Sequence, residues 1–147
     1  MRLLISLAAA ALTTSASAHV TVSPQQSAPG AHEKYEIRVP NEKTADTIAV
    51  EVHLPAGLKA IAFEQKPGWS TELDRDPSGA IVGARWSGKL APLQFTEFGL
   101  LAANPATSAE LVFTATQFYA DGTRIEWSGP ATSKTPAARV ALKPAPR

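Results

Sequence analysis

Thr47-Ile48-Ala49-Val50-Glu51-Val52-His53-Leu54 is the stretch that decides the fold class. Ile48, Val50, Val52 and Leu54 recur at every second residue, against Thr47, Ala49, Glu51 and His53. That period belongs to a strand with one face on a core, whereas a helix would space its apolar residues three and four apart. The pattern continues outward. Tyr35, Ile37 and Val39 alternate with Lys34, Glu36 and Arg38, and Val20 and Val22 with Thr21 and Ser23. Downstream, strand-like runs occupy Leu58–Glu64, Trp69–Leu73, Ala80–Ser87, Leu93–Leu101, Glu110–Tyr119 and Arg124–Trp127.

Turn chemistry separates these runs: Ser27-Ala28-Pro29-Gly30, Pro40-Asn41, Pro55-Ala56-Gly57, Lys66-Pro67-Gly68, Asp76-Pro77-Ser78-Gly79 and Asp121-Gly122. The Asp-Gly pair between two strand-like runs predicts a hairpin. Many short strands at this spacing predict an all-β protein, an antiparallel β-sandwich, with a closed barrel as the lesser alternative.

The first residues read as an export signal: Met1-Arg2, an apolar run from Leu3 to Leu12, then the small-residue cleavage site Ala16-Ser17-Ala18. This divides the chain into a signal peptide (1–18), a β-sandwich domain (19–129) and a Pro/Ala-rich C-terminal segment (130–147) with room for a last short strand. It predicts a periplasmic or secreted protein. Arg2 is the only charged residue in 1–18, so the 14 basic and 13 acidic residues of the chain become an even balance after cleavage. Without a basic stripe, nucleic acid and anionic lipid are poor candidate partners. The C-terminal segment is too polar for a membrane anchor.

Cleavage after Ala18 would also make His19 the first residue. An N-terminal histidine closes a chelate on one metal ion through its free amine and ring Nδ1, and nitrogen donors of this kind suit Cu(II). The chain has no cysteine, and its single methionine is Met1. With no sulfur ligand left, Cu(I) is disfavoured and so is the His/Cys geometry of electron-transfer copper.

Several strings in order carry a resemblance: His19-Val20-Thr21-Val22-Ser23-Pro24, Tyr35 to Glu42 (YEIRVPNE), Lys66-Pro67-Gly68-Trp69, Phe95-Thr96-Glu97-Phe98, Asp121 to Gly129 (DGTRIEWSG) and Thr135-Pro136-Ala137. Together they resemble the YcnI-like family of exported copper-binding proteins over the whole of the expected mature domain. The resemblance implies an immunoglobulin- or cupredoxin-like β-sandwich that holds Cu(II) by a single-histidine brace, for copper storage, buffering or delivery rather than catalysis. A copper chaperone or transporter of the same compartment is the partner it implies. It maps the histidine onto His19, the acidic ligand onto Glu97 and the tryptophan facing the metal onto Trp127. Some members carry a C-terminal membrane anchor that this chain does not show.

Each assignment has a rival reading. Glu97 stands between Phe95 and Phe98, where a buried carboxylate would need a cation, but it also suits the polar phase of a strand. Glu42 and Glu126 compete for the same role: Glu42, after the Pro40-Asn41 turn, could reach a site from that loop, but reads rather as an exposed turn residue. Glu126 and Trp127 are adjacent, so on a strand they face opposite ways and do not both meet a metal. Trp69 and Trp86 read as packing, and His32 and His53 as solvated. A copper-dependent polysaccharide oxygenase would need one of those two as a second imidazole ligand. A metal-free immunoglobulin-like interaction module would need none.

Overall fold

A computed structural model describes residues 18–145, so the predicted signal peptide lies outside the described residues except for Ala18. The strands in chain order are β1 (Thr21–Ser23), β2 (Gln26–Ser27), β3 (His32–Pro40), β4 (Thr47–His53), β5 (Lys59–Phe63), β6 (Ser70–Arg75), β7 (Ile81–Leu90), β8 (Phe95–Ala103), β9 (Glu110–Tyr119), β10 (Arg124–Trp127) and β11 (Ala138–Leu142). They form two sheets, a four-stranded one in the order β1-β3-β8-β5 and a seven-stranded one in the order β2-β11-β9-β4-β7-β6. One edge of β9 is shared between β11, along Glu110–Phe113, and β10, along Ala115–Phe118. The described pairings are antiparallel except for β11 with β2. The predicted β-sandwich is the fold. Residues 138–142 of the C-terminal segment are built into its larger sheet.

The alternating residues meet between the sheets. Val22, Ile37, Val39, Phe98 and Leu100 come from the smaller sheet, and Val50, Val52, Trp86, Phe113 and Val140 from the larger. Burying a side chain of this size contributes about 1.5–3 kcal/mol. Trp86 stacks on Phe98 with ring centroids 4.6 Å apart, and Trp69 meets the same ring edge-on at 5.2 Å. Both tryptophans pack, as expected.

One expectation fails. Ile48 belongs to the apolar phase of its stretch, yet it is exposed while Thr47 and Ala49 are buried. The register shifts between Thr47 and Ala49 against both neighbours, and against β9 Ile48 is the extra residue, whereas against β7 the extra residue lies on β7; Ile48 turns outward there and Thr47 comes inside. The Asp121-Gly122 hairpin forms as predicted, with Gly122 at φ +83 and Tyr119 N donating to Thr123 O. Among the described residues no helix is long and apolar enough to cross a membrane.

Candidate metal centre

The N-terminal strand brings His19 to one end of the sandwich. Thr21 pairs with Arg38 and Pro40 with Phe95, so extending the β1 register by two residues sets His19 on the row of Pro40, where β3 ends. The His19 ring lies against the Trp127 indole, centroids 5.8 Å apart with planes inclined at 54°. Trp127 itself is buried, at the end of β10 opposite Ala115 of β9.

The turn after β3 supplies a carboxylate. Asn41 is 1% exposed, and its Oδ1 accepts from Lys43 N at 3.0 Å, the local bond that makes asparagine a turn former. Its Nδ2 donates to Ala45 O at 2.9 Å and to Leu90 O at 3.0 Å. The backbone is tied as well, Asn41 N donating to Gln94 O and Leu93 N to Asn41 O. From this anchored turn the exposed Glu42 reaches back to the N-terminal strand, where Ala18 N donates to its Oε1 at 2.9 Å. The carboxylate thus meets the backbone one peptide bond before the one at which the signal peptide is expected to be cut.

Behind Trp127 lies a buried polar network. Trp127 Nε1 donates to Gln117 Oε1 at 3.2 Å, and Gln117 Nε2 donates to Pro40 O at 2.9 Å and Thr47 Oγ1 at 2.7 Å. Tyr119 is buried beside Thr47 on the next strand, and Lys43 Nζ stands 4.5 Å from its ring centre. Burial pushes the Tyr119 phenol up to about 12, with the charges of Glu42 and Asp121 acting the same way against a hydrogen bond with Thr47. An open groove of about 240 Å³ runs beside His19, lined by Thr21, Gln25, Pro136 and Arg139 among others.

Of the three predicted site residues, the structure brings together His19 and Trp127 but leaves Glu97 apart. Glu97 pairs with Arg38, which pairs in turn with Thr21, so it stands two strands across and two residues along from His19. Strand spacing and rise make that about 12 Å between backbones. Its carboxylate is 3.6 Å from the Arg38 guanidinium on the outer face, while Phe95 is exposed and Phe98 is in the core. The two phenylalanines therefore do not enclose it. Glu126 faces outward to Arg124 at 3.2 Å, opposite in phase to Trp127, as the adjacency argument requires. His32 begins β3, about 27 Å along the strand from Pro40, and His53 ends β4, about 20 Å from Thr47. Neither reaches His19.

In sequence, Glu42 stood as an alternative carboxylate behind the preferred Glu97, and Gln117 was missed. Glu42 is an exposed turn residue, as expected, and alternation carries no signal for its reach. Gln117 did leave a signal: it breaks the apolar phase Leu111, Phe113, Ala115, Tyr119. Among the described residues no three His, Cys, Asp or Glu side chains are placed to hold a metal ion together. The His19 imidazole, and the Glu42 carboxylate that meets the backbone one residue before His19, nevertheless fit a nitrogen- and oxygen-bound ion if His19 N becomes a free amine.

Comparison with known proteins adds four findings. Residues 19–147 match the family described as a domain of unknown function, DUF1775. The chain is 36% identical over 126 residues to "Copper-binding protein CutI" of Bacillus subtilis (strain 168), covering 84% of this chain and 62% of that protein. It therefore spans less than two thirds of that relative's length. A crystal structure from Nocardia farcinica, described as having an immunoglobulin-like fold, superposes with a TM-score of 0.76 at 27% identity, over 84% of this chain and 97% of that one. The sixth cohesin of Acetivibrio cellulolyticus scaffoldin B superposes with a TM-score of 0.52 at 13% identity, over 85% and 98%. The last likeness is one of fold alone, and the Nocardia farcinica structure places the sandwich in the immunoglobulin-like class.

Proposed function

Since the chain belongs to the DUF1775 family, the YcnI-like family of its sequence motifs, we propose that it is an exported copper-binding protein whose centre forms when cleavage after Ala18 frees the amine of His19. The observation that carries this reading is the bond from Ala18 N to Glu42 Oε1. It puts a carboxylate on the backbone nitrogen one residue before His19 N, the nitrogen that cleavage would convert from amide to amine, so Glu42 loses that partner when the amine forms. The similarity to a copper-binding protein supports copper as the metal. The absence of cysteine, and of any methionine beyond Met1, supports Cu(II) over Cu(I).

In this reading His19 supplies two nitrogens, the amine and ring Nδ1, and Glu42 supplies an anionic oxygen. A bound Cu(II) would add a stable charge for those donors to hold, and nothing in the donor set retains it after reduction. The amine has to lose its proton to bind; its ordinary pKa is about 7.7, so affinity falls in acid. Trp127 covers one side of the His19 ring and keeps water from it. Glu42 replaces Glu97 as the acidic ligand because Glu97 is engaged with Arg38.

The site suits storage, buffering or delivery of copper to a chaperone or transporter of the periplasm or extracellular space. His32 and His53 lie too far along their strands to serve as the second imidazole of an oxygenase, which supports binding over catalysis. The test is a Cu(II) competition titration of the chain beginning at His19 against one that keeps Ala18. Converting the amine to an amide should weaken binding by about a hundredfold or more, as losing one metal donor does. Equal affinity would overturn the brace, and affinity no better than that of His19→Ala would leave a metal-free module.

A further inference from the structure

Gln117 lies on the core-facing phase of β9 and is fully buried. A buried amide is destabilising unless its polar atoms are paired, and an apolar residue would fill the position without that requirement. Here every strong donor and acceptor is used. The indole N–H only donates, so it has to meet the amide oxygen; the Pro40 carbonyl only accepts, so it has to meet the amide nitrogen. The orientation of the amide is forced by its partners.

The connections are also directional. Gln117 sits on β9, Trp127 on β10, Pro40 ends β3 immediately before the Asn41–Glu42 turn, and Thr47 begins β4. One side chain thus ties the indole that touches His19 to the strand end that carries Glu42. The indole has one polar atom with which it can be anchored, and Gln117 holds it.

We propose that Gln117 is a positioning residue of the metal centre: by gripping Nε1 of Trp127 it keeps the indole against the His19 ring and restricts that ring to the arrangement from which it binds. This rests on the reading of His19 and Glu42 as the metal-binding group. Gln117 touches no metal ligand itself and acts through Trp127.

The experiment is a double-mutant cycle on the chain beginning at His19, with Gln117→Met and Trp127→Phe, read by Cu(II) dissociation constant and, without metal, by NMR. Freeing one ring rotamer should weaken Cu(II) binding about three- to tenfold in Gln117→Met. In the Trp127→Phe background the same change should have no further effect, because there is no indole N–H to hold. The metal-free protein should show the Trp127 indole N–H and the His19 ring proton both shifted in Gln117→Met. Equal weakening in both backgrounds, or an unmoved His19 signal, overturns the inference. Should Gln117→Met fail to fold, Thr47→Val removes one anchor of the amide and should shift the same two signals by less; unmoved signals there overturn it as well. A wild-type chain that binds Cu(II) no better than His19→Ala defeats the copper reading instead, and the metal-free spectra still decide whether Gln117 positions Trp127 and His19.

Discussion

Replacing Asn41 with alanine should destabilise the domain by about 2–4 kcal/mol and loosen the proposed metal centre at the same time. Three hydrogen bonds disappear: two from Nδ2, to Ala45 O and Leu90 O, and one into Oδ1 from Lys43 N. The bond to Leu90 O is buried, so that carbonyl loses its donor where water does not reach; an orphaned buried group costs about 1–3 kcal/mol. The other two are only part-buried and recover water, so each contributes about 0.5 kcal/mol. With a urea slope of about 1.5 kcal/mol per molar, the midpoint should fall by about 1.3–2.7 M. The backbone bonds to Gln94 and from Leu93 remain, so the turn stays attached while Glu42 gains freedom. Cu(II) affinity of the chain beginning at His19 should therefore drop about three- to tenfold. Equilibrium unfolding followed by tryptophan fluorescence, and a Cu(II) competition titration, measure the two effects. A midpoint shift below about 0.5 M would refute the burial argument. A full loss of stability with unchanged affinity would show that Asn41 does not hold Glu42 for the metal.

Glu42→Gln should weaken Cu(II) binding by about ten- to a hundredfold, the worth of one charged contact, while Glu97→Gln should leave it unchanged; the reverse order in a competition titration would restore Glu97 as the ligand. Tyr119 has its pKa pushed up to about 12 by burial, and Tyr35 is shifted in the same direction for the same reason. A folded value above the unfolded one near 10 gives a contribution that is whole below pH 10 and lost as pH rises through 12. The urea midpoint should fall across that window and fall less in Tyr119→Phe; a flat profile refutes it. Gly88→Ala should expel Trp69, because an added Cβ would lie 2.7 Å from its Cε3. That overpacking costs about 1–3 kcal/mol and should red-shift the tryptophan emission; unchanged emission with unchanged stability would show that the ring yields without leaving Phe98.

Alternation made the sheet faces legible wherever a strand ran undisturbed. Glu110–Tyr119 and Arg124–Trp127 have their predicted limits, and the Asp121-Gly122 turn joins them. It failed at Ile48, because a bulge inserts one residue and inverts the phase on its N-terminal side without changing the composition that a sequence pattern sees. It also gave no hint of β2, whose two residues pair in parallel with β11 from the other end of the chain. Pairing over that distance is decided by packing, not by local period.

The same distinction bears on the proposed site, where the family resemblance, not alternation, paired His19 with Trp127 and the choice among Glu97, Glu42 and Glu126 stayed open. The parity of Glu97 was readable, and it does face outward from its strand. What stands across from it was not readable, because the order β1-β3-β8-β5 decides that the neighbour is Arg38. A carboxylate within a sheet is committed by register to the residues on either side. One in a turn is committed by whatever anchors the turn, and Asn41 anchors this one through both its side chain and its backbone. Glu42 therefore keeps its charge uncommitted to any strand neighbour while its backbone is held in place. That combination is what a ligand for an ion arriving at a chain terminus requires, and strand periodicity is blind to it.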